Sequence, residues 1–241
     1  MKYFVIHLAR SAQRKPNVEE LRASLPGELE VIDAIDARDM SSDDIAKLVS
    51  GPRHFPTYPF KLRTSEVACF LSHRKAWQLI ADGNASGAMV LEDDVVLDVP
   101  AFSKAFMLVE QHVGDDDFVR FPYKNRETPR RTLAHTGETC LFEPKVSGLG
   151  MQAQYVGRNA AQRLLDATKK FDRPVDTLLQ QTWVTGQLNY TVWPSGVSEI
   201  SGDIGGSTIG ERKSIASKIF REIARPAYRL ALWAAIQSKS P

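Results

Sequence analysis

Cysteine is scarce in this chain: Cys69 and Cys140 are its two thiols in 241 residues. Their separation matches neither a zinc ribbon nor a redox pair, so they read as free thiols in a reducing compartment, pairing only if the fold brings them together. Long apolar runs are missing too, and no stretch approaches the roughly 20 residues that span a bilayer. The opening Tyr3-Phe4-Val5-Ile6-His7-Leu8-Ala9 is interrupted by Arg10 and has no small-residue cleavage site. It reads as a buried strand and not as an export signal, leaving the protein expected on the side of the membrane where it is made. Histidine is sparse, at five residues, and offers no His-rich ligand set of the kind metal-dependent hydrolases use.

A strong overall charge is also lacking, since the formal net charge is +2. That small value conceals an asymmetry. Residues 211–241 carry seven Lys/Arg against two Glu, a net +5, and the remainder carries −3. A nucleic-acid enzyme would surround its working site with basic side chains, so this distribution argues against one. A basic tail on a mildly acidic body suits an anionic partner such as a membrane surface.

What is present is ordinary globular material, with 43% hydrophobic and 25% charged residues, enough for a packed core. Strand and helix alternate without a repeat, which predicts an α/β fold. Tyr3–Leu8 and Leu29–Ile35 read as strands, the second ending in Asp36. Between them Ser11 can cap a helix that buries Val18, Leu21 and Leu25. Ser41-Ser42-Asp43-Asp44 offers a capping box for a short helix to about Val49.

Pro52, Pro56 and Pro59 make residues 50–63 a loop, rich in aromatic and basic side chains. Thr64 can cap a helix from Ser65 to Ala81, after which a turn leads into the strand Ala88–Leu91. Pro100 opens a helix to about His112, and Asp117–Phe121 is strand-like. Arg120–Glu138 reads as a polar loop. Met151–Val156 is predicted as a strand, Arg158–Lys170 as a helix, and Leu188–Trp193 as the last clear strand. The glycines of Gly202–Gly210 mark a boundary between residues 1–210 and a basic segment, 211–241.

Glu92-Asp93-Asp94 is the sharpest chemical feature. Three consecutive carboxylates repel one another and are expensive to bury without a counter-charge. At the end of an apolar strand they stand at the carboxyl edge of a sheet, where open α/β folds bind ligands. Strand alternation sends Glu92 and Asp94 to one side and Asp93 to the other. Such oxygens can hold a hard divalent cation that bridges to a diphosphate, or the triplet can be a solvated acidic turn. On the helix before it, Glu66, Cys69, Phe70, His73 and Trp77 share one stripe. The Glu, Cys and His could suggest metal, but the aromatic neighbours favour a helix packed on the sheet through one hydrogen-bonded histidine. Its N-terminus could still face a diphosphate.

The segment Ser65–Trp77, followed by Met89-Val90-Leu91-Glu92-Asp93-Asp94-Val95, resembles glycosyltransferase family 25. That family's pattern is a Gly-Glu-(Ile/Val)-(Gly/Ala)-Cys-x-x-Ser-His helix and then a strand ending Glu-Asp-Asp. Phe4–Arg14, Ala34-Ile35-Asp36-Ala37, Gln152–Leu165 and Pro174-Val175-Asp176 are similar to further family stretches, in the same order. His7, Ala37 and Ser65 depart from the pattern, standing where Asn, Gly and Gly are usual.

The resemblance implies a GT-A-like single domain with a mostly parallel central sheet. It also implies inverting transfer of a hexose from a UDP-sugar to a lipopolysaccharide- or lipooligosaccharide-type acceptor, with Mn²⁺ or Mg²⁺ held by Glu92, Asp93 and Asp94. Arg14, Asp36, Glu66, Ser72 and His73 are the expected nucleotide-side residues. A one-step inversion needs a general base near the acceptor hydroxyl. Asp176 is the first candidate, although an aspartate there can equally be a helix N-cap, and Asp203 is the reserve. A glycan-binding or assembly subunit that keeps the fold without turnover is the competing reading.

The segment 213–237 is expected to form a basic amphipathic helix. Ile215, Ile219, Ile223 and Ala227 recur at four-residue steps, beside Lys218, Arg221, Arg225 and Arg229. It would rest on an anionic membrane surface, making the protein cytoplasmic and peripherally bound to the inner membrane. The alternative is a tail helix docked on the protein's own body.

Overall fold

Tyr3, Phe4, Val5 and Ile6 are buried in succession, Tyr3 and Val5 in one apolar cluster and Phe4 and Ile6 in another. Successive strand side chains point to opposite faces, so this run needs cover on both sides. The computed structural model describes residues 1–51, 53–200 and 215–239, with backbone alone at 215–219. Its strands are β1 (Lys2–His7), β2 (Glu28–Asp33), β3 (Gly87–Glu92), β4 (Val95–Leu97), β5 (Phe118–Arg120), β6 (Pro129–Thr136), β7 (Thr139–Pro144), β8 (Ala153–Gly157), β9 (Asn189–Trp193) and β10 (Val197–Glu199). Eight form one sheet in the order β2-β1-β3-β8-β5-β9-β7-β6, and β10 pairs with β4 in a small second sheet. The strand pairings give β8 and β7 one direction and the other strands of the large sheet the opposite one. The sheet is therefore mostly parallel in sense, and the architecture is that of a GT-A-like single domain.

Helices α1 (Lys15–Ser24) and α4 (Val99–His112) cover one face; α3 (Thr64–Ala81), α5 (Arg158–Ala167) and α6 (Val175–Leu179) cover the other. Met89 and Leu91 of β3 join the first core, and Ala88 and Val90 the second. Across the second core Phe70 stacks on Phe171 at 3.9 Å between centroids, and Trp77 is fully buried beside them. Each such side chain contributes about 1.5–3 kcal/mol by leaving water. The short helices α2 (Ser42–Leu48) and α7 (Thr182–Thr185) complete the body.

Local chemistry moved several boundaries. Ser11 caps nothing with its side chain; a 3₁₀ turn, Ala12–Arg14, precedes α1. Ser41 does cap α2, accepting from the Asp44 amide at 3.1 Å. Arg63, not Thr64, is the N-cap of α3, and Glu66 accepts its backbone amide at 2.8 Å. The second strand ends at Asp33, leaving Asp36 in the following turn, and α5 stops at Ala167. The expected loop 120–138 contains β6, which forms a hairpin with β7 around Gly137 at φ +58°. β6 is an edge strand whose side chains are largely exposed, so its sequence carries no apolar alternation.

The C-terminal helix α8 (Ile215–Lys239) contains Pro226. Leu232, Ala235 and Ile236 are buried against the body, and the Tyr228 hydroxyl accepts from the fully buried Arg173 at 3.0 Å. Phe220 meets Phe60 and Tyr228 meets Tyr58 edge-on, with Arg221 and Arg225 lying over the Phe60 ring. One side of the helix is therefore docked on the body and on the proline-rich loop. Ile223, Leu230 and Trp233 are 68%, 68% and 53% exposed on the opposite side. Among the described residues no helix is long and apolar enough to cross a membrane. The expected boundary at 202–210 and the reserve acid Asp203 lie outside the described residues, as do the side chains of Ile215, Lys218 and Ile219.

Candidate active site

β3 ends because its neighbours do. The Glu92 amide makes the last rung, to the Gln152 carbonyl at 2.8 Å, and the chain then turns through Asp93 and Asp94 into β4. Asn17 of α1 fixes this turn from below, its side-chain amide donating to the Asp93 carbonyl at 3.0 Å and the Val95 carbonyl at 2.8 Å. From the other side the Ile200 amide donates to the Asp94 carbonyl at 3.0 Å. The carboxylates thus project from a rigid mount.

Their surroundings divide them three ways. Glu92 is half-buried and faces α3, with Oε1 3.2 Å from His73 Nε2. Asp93 is buried and both of its oxygens are taken, by His7 Nδ1 at 2.7 Å and Arg14 Nη1 at 2.5 Å. Asp94 is buried with one oxygen 3.3 Å from Arg14 Nη2, while its Oδ1 meets no protein group. Burial and the neighbouring Glu92 push the Asp94 carboxyl up to about 7, although Arg14 opposes them. A buried carboxylate oxygen without a partner, next to other carboxylates, is what a bound divalent cation would satisfy. The residues present therefore fit the hard metal ion that the carboxylate triplet suggests, with Asp94 as its most available ligand.

Asp176 sits in the first turn of α6, not at its N-cap, which is Pro174. Its Oδ2 accepts from the Gly150 amide at 3.0 Å and its Oδ1 from the Thr177 amide at 2.7 Å. Gly150 has φ +96°, a left-handed conformation that favours glycine at this contact. Cys69 ties the pieces together. Its side chain is open to solvent yet ringed by protein, as at the floor of a cleft. Burial, reinforced by the fields of Glu92, Asp176, Glu66 and Asp94, pushes its thiol well above the usual range. All four carboxylates therefore lie near enough to the thiol for their charge to act on it. Tyr58 of the proline-rich loop feels Glu66 and Asp176 as well. A neighbouring cavity is lined by Arg120, Tyr123, Lys124, Glu127, Gly150 and Gln152.

The other expected site residues are placed differently. Asp36 pairs with Arg10 and accepts the Arg38 amide, which hold its carboxyl below the usual range. Ser72 is buried, accepting from the Ile35 amide at 2.9 Å and donating to the Ala68 carbonyl at 2.8 Å. It braces the turn that carries Asp36. Arg14 spans Asp93 and Asp94, at the carboxylates themselves.

A model of the family described as glycosyltransferase family 25 (LPS biosynthesis protein) matches residues 1–179 of this chain. The chain belongs to glycosyltransferase family 25. A glycosyltransferase 25 family member of Drosophila pseudoobscura pseudoobscura is 29% identical over 128 residues, 50% of this chain and 20% of its own length. The inactive glycosyltransferase 25 family member 3 of Homo sapiens is 39% identical over 101 residues, 38% of this chain and 16% of its own. The probable inactive member 3 of Rattus norvegicus is 35% identical over 97 residues, 38% of this chain and 17% of its own. The chain spans about a fifth of the length of these curated relatives, which come from animals.

Three residues that hold the candidate site together escaped the sequence reading. Asn17 stands one helical turn before Leu21 on the buried stripe of α1, and a polar residue there was the available signal. Gln154 is buried within β8, with its Nε2 3.3 Å from His73 Nδ1. His7, known from sequence only as a departure from the family pattern, turns out to be the partner of Asp93.

Proposed function

We propose that this chain is a metal-dependent, inverting glycosyltransferase that moves a hexose, galactose or glucose, from a UDP-sugar to a lipopolysaccharide- or lipooligosaccharide-type acceptor. The observation that carries the reading is Asp94, a buried carboxylate at a strand edge with an oxygen that no protein group satisfies, in a chain of this family. Mn²⁺ or Mg²⁺ bound there supplies positive charge against the charge that grows on the departing nucleoside diphosphate. Asp94 offers its free oxygen, with Glu92 beside it. Asp93, locked between His7 and Arg14, holds Arg14 where its guanidinium can also face phosphate oxygens. Asp176 accepts the proton of the acceptor hydroxyl as that oxygen attacks the anomeric carbon. The two amides bonded to Asp176 fix its carboxylate orientation for this task.

The exposed side of α8 sets the chain on an anionic membrane at the cytoplasmic face, where a lipid-linked acceptor would be presented. The test is direct. Purified protein is given a panel of UDP-hexoses with a lipooligosaccharide acceptor, and released UDP is measured with Mn²⁺ and with chelator. Metal-dependent release from one donor is the expected result. The mammalian relatives named inactive favour a second reading, a glycan-binding subunit without turnover. Calorimetric binding of acceptor glycan, with no UDP released from any donor, would select it.

A further inference from the structure

The carboxylate triplet and α3 meet at a second cluster, which shares Glu92 with the hard-cation site. Cys69 Sγ, a His73 ring nitrogen and a Glu92 oxygen all lie within 4.8 Å of one another. Cys69 and His73 are one helical turn apart on α3, at the i and i+4 positions that point two ligands at one ion. Glu92 closes the set from the end of β3. The imidazole is 1% exposed and cannot swing away, and Gln154 holds its far nitrogen at 3.3 Å. A buried hydrogen-bonding partner on the second ring nitrogen is the outer support that metal-bound histidines use. The Gln154 Oε1 is buried without a partner, so the amide turned over can accept Nδ1–H and leave the Nε2 lone pair for an ion.

We propose that Cys69, His73 and Glu92 form a binding site for a thiophilic divalent cation, Zn²⁺ or its Co²⁺ surrogate, with a fourth coordination position open to the cleft. Sulfur, nitrogen and oxygen ligands in tetrahedral array select such ions over Mn²⁺ and Mg²⁺, which take oxygen alone. Tetrahedral geometry with a metal–sulfur distance of about 2.3 Å sets ligand atoms roughly 3.5 Å apart. The His73–Glu92 pair already stands at 3.2 Å, so only the approach of the Cys69 sulfur has to tighten, by at most about 1 Å, which its solvent-open side chain permits. On binding, the thiol proton leaves to solvent as the sulfur–metal bond forms. Glu92 stands between this site and Asp94, so an ion held here withdraws one oxygen ligand from the cleft.

The experiment is a Co²⁺ titration of the metal-free protein followed by absorption spectroscopy. A sulfur-to-cobalt charge-transfer band and intense visible bands are expected at one equivalent, bleached by one equivalent of Zn²⁺. Cys69→Ser and His73→Gln should remove the charge-transfer band or weaken binding at least 10-fold, while Cys140→Ser and Asp94→Asn retain it. Retention in Asp94→Asn separates this site from the transferase reading, which would fail on its own assay. Because α3 variants can perturb folding, the unaltered protein is also alkylated with and without Zn²⁺ and its peptides weighed. Zn²⁺ should protect Cys69 and not Cys140. A wild-type protein with no charge-transfer band, a band that survives Cys69→Ser, or Cys69 alkylated equally with and without Zn²⁺ overturns the proposal.

Discussion

Arg14 bridges the two aspartates of the β3 turn, touching Asp93 at 2.5 Å and Asp94 at 3.3 Å, and it leaves one oxygen of Asp94 unsatisfied. One guanidinium thus serves two buried carboxylates with Glu92 alongside. Burial first, and the neighbouring Glu92 charge second, raise the Asp94 carboxyl in spite of Arg14.

Replacing Asp94 tests that arrangement. Asp94→Asn should abolish metal-dependent transfer while the fold persists. The sign for stability follows from linkage: a carboxyl raised from 3.8 to about 7 binds its proton more tightly in the folded chain. The metal-free wild type therefore loses stability as pH rises from about 4 to about 7. Asp94→Asn should remove that slope and be more stable at pH 7.5 by roughly 1–3 kcal/mol. Mn²⁺ should raise the melting temperature of the wild type and not of the variant. Activity within a few-fold of wild type would defeat the metal assignment.

Asn17 is a positioning residue, and its removal should separate affinity from folding. Asn17→Leu leaves the Asp93 and Val95 carbonyls without their donor, at a cost of about 1–3 kcal/mol. With the turn loosened, the concentration of Mn²⁺ giving half-maximal activity should rise several-fold, measured well below the melting temperature. A variant that merely melts earlier, with unchanged metal dependence, would show the mount to be stabilising only.

Asp176→Asn keeps an acceptor for the Gly150 amide and removes the base. Turnover should fall by roughly 100-fold or more while donor binding, followed by calorimetry, persists. Near-normal turnover at low temperature would assign Asp176 to holding Gly150 and the start of α6.

How far the site was legible in sequence depends on the range of each interaction. The β3 strand announces itself locally through Ala88–Leu91, and the carboxylates follow without a gap, so their edge placement could be read directly. Their division could not. That Glu92 turns to His73, Asp93 to His7 and Asp94 to Arg14 depends on contacts made across the fold. Alternation failed after Glu92 because Asp93 and Asp94 belong to a turn. Ser72 also accepts from the Ile35 amide and Asp36 from the Arg38 amide, local contacts that their sequence signals did not reveal. β6 was missed for a different reason: an exposed edge strand need not alternate.

The buried pair Asp172–Arg173 anchors the proline-rich loop and α8 together. Arg173 is fully buried and donates to the Pro56 and His54 carbonyls and the Tyr228 hydroxyl as well as to Asp172. Burial works against ionisation of Asp172, but the Arg173 fork and the Arg53 amide prevail and hold its carboxyl below the usual range. The stability this contributes is present above the ordinary carboxylate pKa and lost as pH falls through the depressed one. Asp172→Ala strands the arginine and should cost roughly 3–5 kcal/mol at pH 7. In chemical denaturation the deficit relative to wild type should shrink below about pH 4. A deficit that stays constant down to pH 2.5 would assign the loss to packing.

The outward side of α8 gives the last prediction. Because Leu232, Ala235 and Ile236 are already used against the body, deleting the helix would confound docking with folding. Ile223, Leu230 and Trp233 project from the opposite side, and changing them leaves the docked face intact. An apolar row beside the exposed Arg225 and Arg229 suits an interface of acyl chains and anionic headgroups, where each basic residue adds about 1 kcal/mol. The triple change Ile223→Ser, Leu230→Ser and Trp233→Ser should reduce binding to phosphatidylserine-containing vesicles at least 10-fold, with unchanged melting and unchanged transfer to a soluble acceptor. Raising salt should weaken wild-type binding, and vesicles of neutral lipid should bind poorly. Equal binding of the triple variant and the wild type to anionic vesicles at low salt would reject the membrane as the occupant of this face.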